Sequence, residues 1–226
     1  PACEHVTLHL QPTSANTVLT DFSPSNHSIS QGGSSTVSYN DTAGSIFGTG
    51  SLHFNARATG WDYLQIPSSS DFQQSSEFTH EYWFNLESIT GQITPIGRNA
   101  NWITVQFING YPVVVSYAHT TIIDTRPGEL NGTPLNINQW YHIAITMDSN
   151  RMITLYVDGE MIGRELFAPP PPVASGDLFI GQSAYPGSAD SFPGYLYDVR
   201  FSNDLLYRGS FLRPSARRCT CSGISY

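Results

Sequence analysis

Lysine is absent from this sequence, and all ten of its basic residues are arginines. Its absence excludes Schiff-base chemistry and lysine cross-linking. Charged residues make up only 12% of the 226 residues, roughly half the usual share for a globular domain. The net charge of −8 and the lack of a basic stripe exclude the electrostatic footprint of a nucleic-acid-binding protein. Serine, threonine, asparagine, glutamine and glycine take the place of charges, which suits an extracellular surface or contact with sugars.

Long apolar runs are also missing. No stretch reaches the roughly eighteen consecutive apolar residues of a membrane-spanning helix, so we expect no membrane insertion. The chain begins at Pro1 without methionine, which indicates either a removed signal segment or a piece of a longer protein. Sequons at Asn26, Asn40 and Asn131 fall in predicted loops, where N-glycosylation would require them. These features favour a secreted protein exposed on a cell or a virion.

Cysteine is scarce, and the three cysteines lie at the two ends of the chain: Cys3, Cys219 and Cys221. If the first and last strands pair, a disulfide from Cys3 to Cys219 or Cys221 would close a very long loop. Such a bond would stabilise the fold by about 2–4 kcal/mol. The remaining cysteine could then bond another chain. Three free thiols, or a metal pair at Cys219 and Cys221, are the alternatives, although that spacing is poor for zinc.

The motifs of several enzyme classes are absent as well. The sequence has no Gly-x-Ser-x-Gly nucleophile elbow. It also lacks a His-Glu-x-x-His zinc motif, a phosphate-binding glycine loop and a Gly-x-Gly-x-x-Gly fingerprint. A Ser-His-Asp site is assembled from dispersed residues, so the sequence leaves that alternative open. We predict that the protein is not an enzyme.

Period-two alternation of apolar residues runs through the chain and predicts strands with one face in a core. It is clearest in EYWFNL (81–86), WYHIAITM (140–147) and ITLYV (153–157). Trp140 and Tyr141 are predicted to anchor the core beneath a loop. We expect roughly a dozen strands and no amphipathic helix of three turns.

Turn residues separate the predicted strands. Asn109-Gly110 and Asp158-Gly159 favour the positive φ angles of type I′ hairpins. A further turn at 148–150 makes the strands around it neighbours. Residues 23–40 read as loop with short strands, and the proline run at 168–173 predicts an extended, rigid connection.

Several segments follow one another in a fixed order: FGTGSLHFN (47–55), WDYLQIP (61–67), FTHEYWF (78–84), NQWYHIA (138–144), LYVDG (155–159) and FPGYLYDVR (192–200). Together they resemble the laminin-G-like branch of the concanavalin-A-like lectin–glucanase jelly rolls, in the version found in viral and secreted proteins. The tail over 206–214 is similar to the ending of the viral version. The resemblance implies an all-β jelly-roll β-sandwich of two antiparallel sheets. We expect one domain over 1–226, with the termini at 1–5 and 215–226 tied by a disulfide.

Catalytic relatives of this fold carry alternating acidic residues on one strand, as Glu-x-Asp-x-x-Glu. No such string occurs here. A glycosidase needs two carboxylates facing each other across a cleft, and the nearest candidates are Glu77 and Glu81. We interpret them as a solvated pair at the entrance of a strand.

The resemblance also implies one structural Ca²⁺, held between an early loop and the closing strand. The matching positions are Asp21 and Asp198. The closing motif has only one of the two acidic residues that relatives usually carry. In the alternative, Asp21 caps a turn and Asp198 pairs with Arg200 or with a backbone donor.

Sugar-binding sites usually stack an aromatic ring on a pyranose. Candidate ligand-binding aromatics are Trp83, Trp61, Trp102 and Tyr117, with Tyr111 and Tyr185 as further possibilities. Trp83 lies on the strand face opposite its apolar neighbours, so it is either an open stacking surface or covered by an adjoining loop.

This fold hosts lectins, adhesion modules, glycosidases and structural domains alike. From the sequence we predict a non-catalytic extracellular binding module whose partner is a glycan or a cell-surface or matrix protein. The alternative is a self-assembling building block of a filament, hair, sheath or virion, and a third hypothesis is a polysaccharide-active enzyme.

Overall fold

The computed structural model describes residues 3–12, 19–33, 37–40, 46–47, 50–57, 60–74, 76–98, 102–116, 120–168, 175–184 and 190–216, with only the backbone of residues 40, 56, 57, 60 and 61. This part of the chain forms seventeen β-strands and no α-helix. All strand pairs are antiparallel, as the sequence predicts. The described residues hold no helix that could span a membrane.

One layer is an eight-stranded sheet, which we call the large sheet. From one edge to the other its strands are β15 (Glu160–Leu166), β14 (Met152–Val157), β13 (Trp140–Met147), β7 (Phe78–Leu86), β17 (Gly194–Ser202), β4 (Ser51–Phe54) and β3 (Ser38–Asn40). The eighth strand, β1 (Val6–Leu10), also pairs with β17. The first and last strands are therefore neighbours, which is the condition for a disulfide between the termini.

The second layer consists of two smaller sheets. The first contains β12 (Thr120–Asp124), β11 (Tyr111–Ser116), β10 (Ile103–Ile108) and β8 (Gln92–Ile93). The other contains β2 (Ser30–Gly33), β6 (Gly60–Ile66), β16 (Leu178–Ile180) and β9 (Ile96–Arg98), with β5 (Ala56–Arg57) attached to β6. A short 3-10 turn spans Ser70–Phe72, and the Ser69 hydroxyl accepts the Asp71 N–H at 3.1 Å.

The core lies between these layers and is built from the predicted alternating residues. Tyr82, Phe84 and Leu86 of β7 all belong to it. The Phe84 ring meets the Phe107 ring of β10 at 4.7 Å between centroids, which joins the large sheet to the second layer. Full burial of each such side chain contributes about 1.5–3 kcal/mol, so the alternation in the sequence fixes which face of the strand turns inward.

Both predicted type I′ turns are confirmed. Asn109 and Gly110 have φ angles of 50° and 85°, and Asp158 and Gly159 have 51° and 84°. The strand count exceeds the expected dozen because several strands have only two or three residues. Segments this short carry no periodic signal in the sequence.

The chain ends and the proline run fall largely beyond the described ranges. Cys3 is disulfide-bonded, but Cys219 and Cys221 lie outside the described residues, so the pairing stays a prediction. Residues 169–173 of the predicted proline connection also lie outside them.

Candidate functional site

The large sheet has an outer face that is turned away from the core. On β7, Glu81, Trp83 and Asn85 lie on this face because they alternate with the core residues of the same strand. The register places Trp83 opposite His142 of β13 and Tyr197 of β17. A later segment of the chain covers one half of this face.

Residues 203–213, which we call the C-terminal strap, cover one half of the outer face. The Phe211 N–H donates to the Gly159 carbonyl at 2.8 Å. The rings of Tyr207 and Phe211 stack at 3.6 Å between centroids, and the Tyr207 hydroxyl donates to Oε2 of Glu81 at 2.6 Å. The strap is therefore held to the sheet by both backbone and side-chain hydrogen bonds.

A polar cluster is buried beneath the strap. Nε2 of His142 lies 3.2 Å from Oε2 of Glu81, and both side chains are almost fully buried. The interpretation of Glu77 and Glu81 as a solvated pair is thus wrong for Glu81, because the strap closes over it. This carboxylate is occupied by Tyr207 and His142 and faces no open cleft.

Trp83 lies under the same cover. Only 2% of it is exposed, the Phe47 ring packs edge-on against it at 5.4 Å, and the Arg213 guanidinium sits 5.1 Å above its ring. Of the two alternatives that the sequence left, the structure shows the covered tryptophan. A sugar cannot stack on Trp83 while the strap is in place.

The other half carries a row of side chains at one level of four adjacent strands, and two of them, Asn85 and Tyr195, are only 6% and 9% exposed. The register pairs His53 of β4 with Tyr195 of β17, Tyr195 with Asn85 of β7, and Asn85 with Trp140 of β13. We call these four residues the platform. The rings of His53 and Tyr195 stack at 4.4 Å and 19°, while Trp140 meets Tyr195 at 6.4 Å and 51°.

Asn85 is the unsatisfied member of the platform. It is 6% exposed, and its Oδ1 is buried without a hydrogen-bond partner. Leaving a buried polar atom unpaired costs about 1–3 kcal/mol. The two ends of an amide exchange by rotation, so this side chain can offer either a donor or an acceptor.

A carboxylate borders the platform. Oε2 of Glu87 lies 3.1 Å from Nε2 of His53. Burial, and then the charge of Glu87 and its hydrogen bond, raise the pKa of Tyr195, so this phenol stays protonated at neutral pH. The platform therefore combines aromatic faces, an amide and a carboxylate.

The prediction that Trp140 anchors the core is wrong. Tyr141 does lie in the core, and its hydroxyl accepts the Asn136 N–H at 3.0 Å. Trp140 precedes it in the strand, points to the opposite face and is half-buried. The alternation alone separates these two residues. What the sequence does not show is the cross-strand register that brings Trp140 level with Asn85 and Tyr195.

The two predicted calcium ligands both contact His9, Asp21 through the His9 backbone N–H and Asp198 through the His9 side chain. Oδ1 of Asp21 accepts the N–H groups of His9 and Ser23, each at 2.9 Å. Its Oδ2 accepts the Ser23 hydroxyl at 2.8 Å and the His27 N–H at 2.9 Å. Asp21 therefore caps a turn, as in the alternative interpretation, and four protein donors fill its carboxylate.

Asp198 faces the His9 side chain. Its Oδ1 lies 2.7 Å from His9 Nε2 and accepts the Gln11 amide at 3.0 Å, and Arg200 lies 3.3 Å from the same imidazole nitrogen. Burial opposes ionisation of Asp198, but hydrogen bonds and charges from His9, Gln11 and Arg200 hold its pKa below the usual value. Burial in turn lowers the pKa of His9, against the pull of Asp198. These donors do not fit the oxygen ligands that Ca²⁺ prefers, so calcium stays a prediction without support from this geometry.

The remaining predicted residues are dispersed. Trp102 is buried, and its Nε1 donates to the Phe72 carbonyl at 3.1 Å, so it cannot stack on a ligand in this structure. The Trp61 side chain and Tyr117 lie outside the described residues. The sequon residues Asn26 and Asn131 are exposed in turns, whereas Asn40 ends β3 and does not lie in the predicted loop. Glycosylation of all three stays a prediction.

A second concavity opens beside the hairpin of β10 and β11. It has a volume of about 360 Å³ and is lined by Ile108, Asn109, Tyr111, Arg126, Pro127 and Glu129. Its arginine is engaged, because Arg126 donates to both oxygens of Asp124, and this contact lowers the pKa of that carboxyl. Tyr111 is the partly exposed aromatic residue in this lining. The second concavity therefore provides a control site for the platform.

The fold matches solved structures of clostridial toxin domains. The binding domain of Paraclostridial Mosquitocidal Protein 1 superposes with a TM-score of 0.70 at 15% identity, over 92% of this chain and 51% of that one. The botulinum neurotoxin serotype C1 binding domain gives 0.67 at 15% identity, over 90% and 50%. A structure of botulinum neurotoxin type C, whose cell entry depends on interaction with two ganglioside molecules, gives 0.64 at 15% identity, over 89% and 48%.

The chain spans about half the length of these structures, and identity at this level shows a likeness of fold. Curated proteins provide no sequence match. A family model described as the concanavalin A-like lectin/glucanases superfamily matches residues 58–208. This match covers most of the strands that form both layers, including β7, β13 and β17. The chain therefore belongs to the concanavalin A-like lectin/glucanases superfamily.

Proposed function

We propose that this protein is a non-catalytic binding module of a secreted or surface-exposed protein, and that it binds a glycan on the half of the outer face that the strap leaves uncovered. The platform of His53, Asn85, Trp140 and Tyr195 carries the proposal. It presents aromatic rings and an unpaired amide together on a rigid sheet. Sites on strands hold such groups more precisely than sites on loops do.

The chemistry of the platform suits a pyranose. Aromatic rings stack on the C–H face of a sugar, while a few convergent polar groups fix its orientation. Trp140 and Tyr195 supply the rings, and Asn85 and Glu87 supply the polar groups. Two of the similar solved structures are toxin binding domains, which agrees with a binding role, and each match covers about half of that chain.

A glycan array tests this proposal. The native protein should bind a subset of the glycans, and Trp140→Ala should abolish that binding because the stacking surface is lost. Tyr111→Ala, in the second concavity, is the matched control and should leave the binding unchanged. Circular dichroism and thermal unfolding must show that both variants are folded. If Trp140→Ala binds as the native protein does, or if no glycan is bound, the proposal is wrong.

The environment of Glu81 supports a non-catalytic role. A glycosidase needs one free carboxyl group for proton transfer and a second facing it, but Glu81 is buried beneath the strap and bonded to Tyr207. We expect no turnover of polysaccharides. Hydrolysis that is lost in Glu81→Gln would establish the enzyme hypothesis instead.

One observation favours the alternative of a self-assembling building block. Strand β15 forms an edge of the large sheet, and its Met161 and Leu166 are 45% and 55% exposed, with Leu212 of the strap 95% exposed. An unprotected edge with apolar side chains is a template for pairing with another chain. Light scattering decides between the two roles, because a binding module remains a small discrete species and a building block forms polymers.

A further inference from the structure

The charged groups around the platform indicate which class of glycan it binds. Glu87 lies at its border, with 38% of its side chain exposed. Two of the described arginines, Arg126 and Arg164, are paired with aspartates elsewhere on the protein. Arg213, the arginine above Trp83 on the same face, is already paired with Asp158 at 3.2 Å. The platform therefore has a carboxylate beside it, and these three arginines are engaged at other positions.

Sites that bind acidic sugars place a cation, not a carboxylate, beside the ligand. Carboxylate and sulfate groups are bound by arginine or lysine, whose charged N–H groups donate to their oxygens. This sequence has no lysine, and its net charge of −8 repels anions in general. A sialylated or sulfated glycan would bring its negative charge next to Glu87.

The hydrogen-bond acceptors at the platform point to a ligand that donates. Glu87 is an acceptor when ionised. The Asn85 oxygen is an unpaired acceptor in a side chain that is more than nine-tenths buried. A sugar hydroxyl or an acetamido N–H supplies the missing donor, and it can do so without a charge.

We infer that the ligand of the platform is an uncharged pyranose, a neutral hexose or N-acetylhexosamine, which stacks on Trp140 and donates hydrogen bonds to Asn85 and Glu87. This inference rests on the proposed glycan-binding function. It sets this chain apart from botulinum neurotoxin type C, whose cell entry depends on gangliosides, because a carboxylate borders the platform here.

Binding of paired probes tests the inference. The probes are surface-displayed neutral oligosaccharides with terminal hexose or N-acetylhexosamine, each matched to its own sialylated derivative. We expect the neutral members to bind and the sialylated members to bind at least about tenfold more weakly, a difference that shrinks in high salt because the repulsion is screened. Glu87→Gln should also reduce the difference, whereas Glu129→Gln, at the second concavity, should not.

Asn85→Ala should weaken neutral probes by about tenfold, because one stabilising hydrogen bond to the ligand is lost. The results distinguish a failure of the neutral-ligand inference from a failure of the proposed glycan-binding function. If sialylated probes bind as well as neutral ones and Trp140→Ala abolishes both, the neutral-ligand inference is wrong and the glycan site stands. If neither class binds, or if binding survives Trp140→Ala, the proposed function itself is wrong.

Discussion

His80 lies among aromatic rings in the core and has an unusual protonation state. Its ring centroid is 4.0 Å from that of Phe201, 4.6 Å from Phe78 and 5.1 Å from Trp102. Its Nδ1 lies 3.4 Å from Nε2 of Gln74. Burial disfavours the charged imidazolium and lowers the pKa of His80 from 6.5 to about 3. The folded protein therefore holds a neutral histidine across the ordinary pH range.

This shift makes stability depend on pH. Between pH 6.5 and about 3 the unfolded chain carries a proton on His80 that the folded chain does not. The unfolded state binds more protons there, so the free energy of unfolding falls as the pH falls, by about 1.4 kcal/mol per pH unit. From pH 7 to pH 5 the loss due to His80 is about 2 kcal/mol. Above pH 6.5 the contribution is fully present and flat.

The variant His80→Phe keeps a planar ring in the stack and removes the titration. Urea unfolding at pH 5, 6 and 7 should show the native protein losing about 2 kcal/mol more than this variant between pH 7 and pH 5. His5→Phe, at an exposed position, is the control and should follow the native curve. Parallel curves for the native protein and His80→Phe would refute the burial argument.

Three further perturbations test other contacts. Tyr207→Phe removes the donor to the buried Glu81 carboxylate and should lower the free energy of unfolding by about 1–3 kcal/mol in urea titration, whereas Tyr111→Phe should change it by less than about 0.5 kcal/mol. Gly159→Ala should destabilise by at least about 2 kcal/mol, since its new Cβ would lie 2.1 Å from a strap carbonyl. Gly91→Ala has a similar positive φ but no atom within 4 Å, so it should cost only about 1 kcal/mol, and equal losses would contradict the close packing of the strap. Chelator should leave the thermal midpoint unchanged, because protein donors fill Asp21; a fall that added Ca²⁺ reverses would restore the calcium prediction.

Much of the fold could be predicted because alternation and turn chemistry are local signals. The face of β7 that enters the core, the two type I′ hairpins and the pairing around residue 149 all follow from residue order. The short strands β5, β8, β9 and β16 could not be predicted, because two or three residues have no period. Their pairing is set by tertiary packing.

The site was harder to predict because it depends on the cross-strand register and on which part of the outer face the strap covers. The sequence placed Trp83 correctly on the outer face, but only the structure shows the strap above it. Asn85 and Tyr195 carry no motif, and they become a platform because four strands bring them level with His53 and Trp140. The resemblance identified Asp21 and Asp198 as candidate ligands, but not the donors that surround them.

The central claim is that a glycan binds on the platform and not on the half of the same face that the strap covers. The most direct measurement follows the indole N–H signals of the tryptophans by nuclear magnetic resonance during titration with a neutral oligosaccharide. The account predicts that the Trp140 signal shifts in a saturable way while those of the buried Trp83 and Trp102 stay in place. A bound glycan that leaves Trp140 unmoved, or that shifts Trp83 instead, would contradict it.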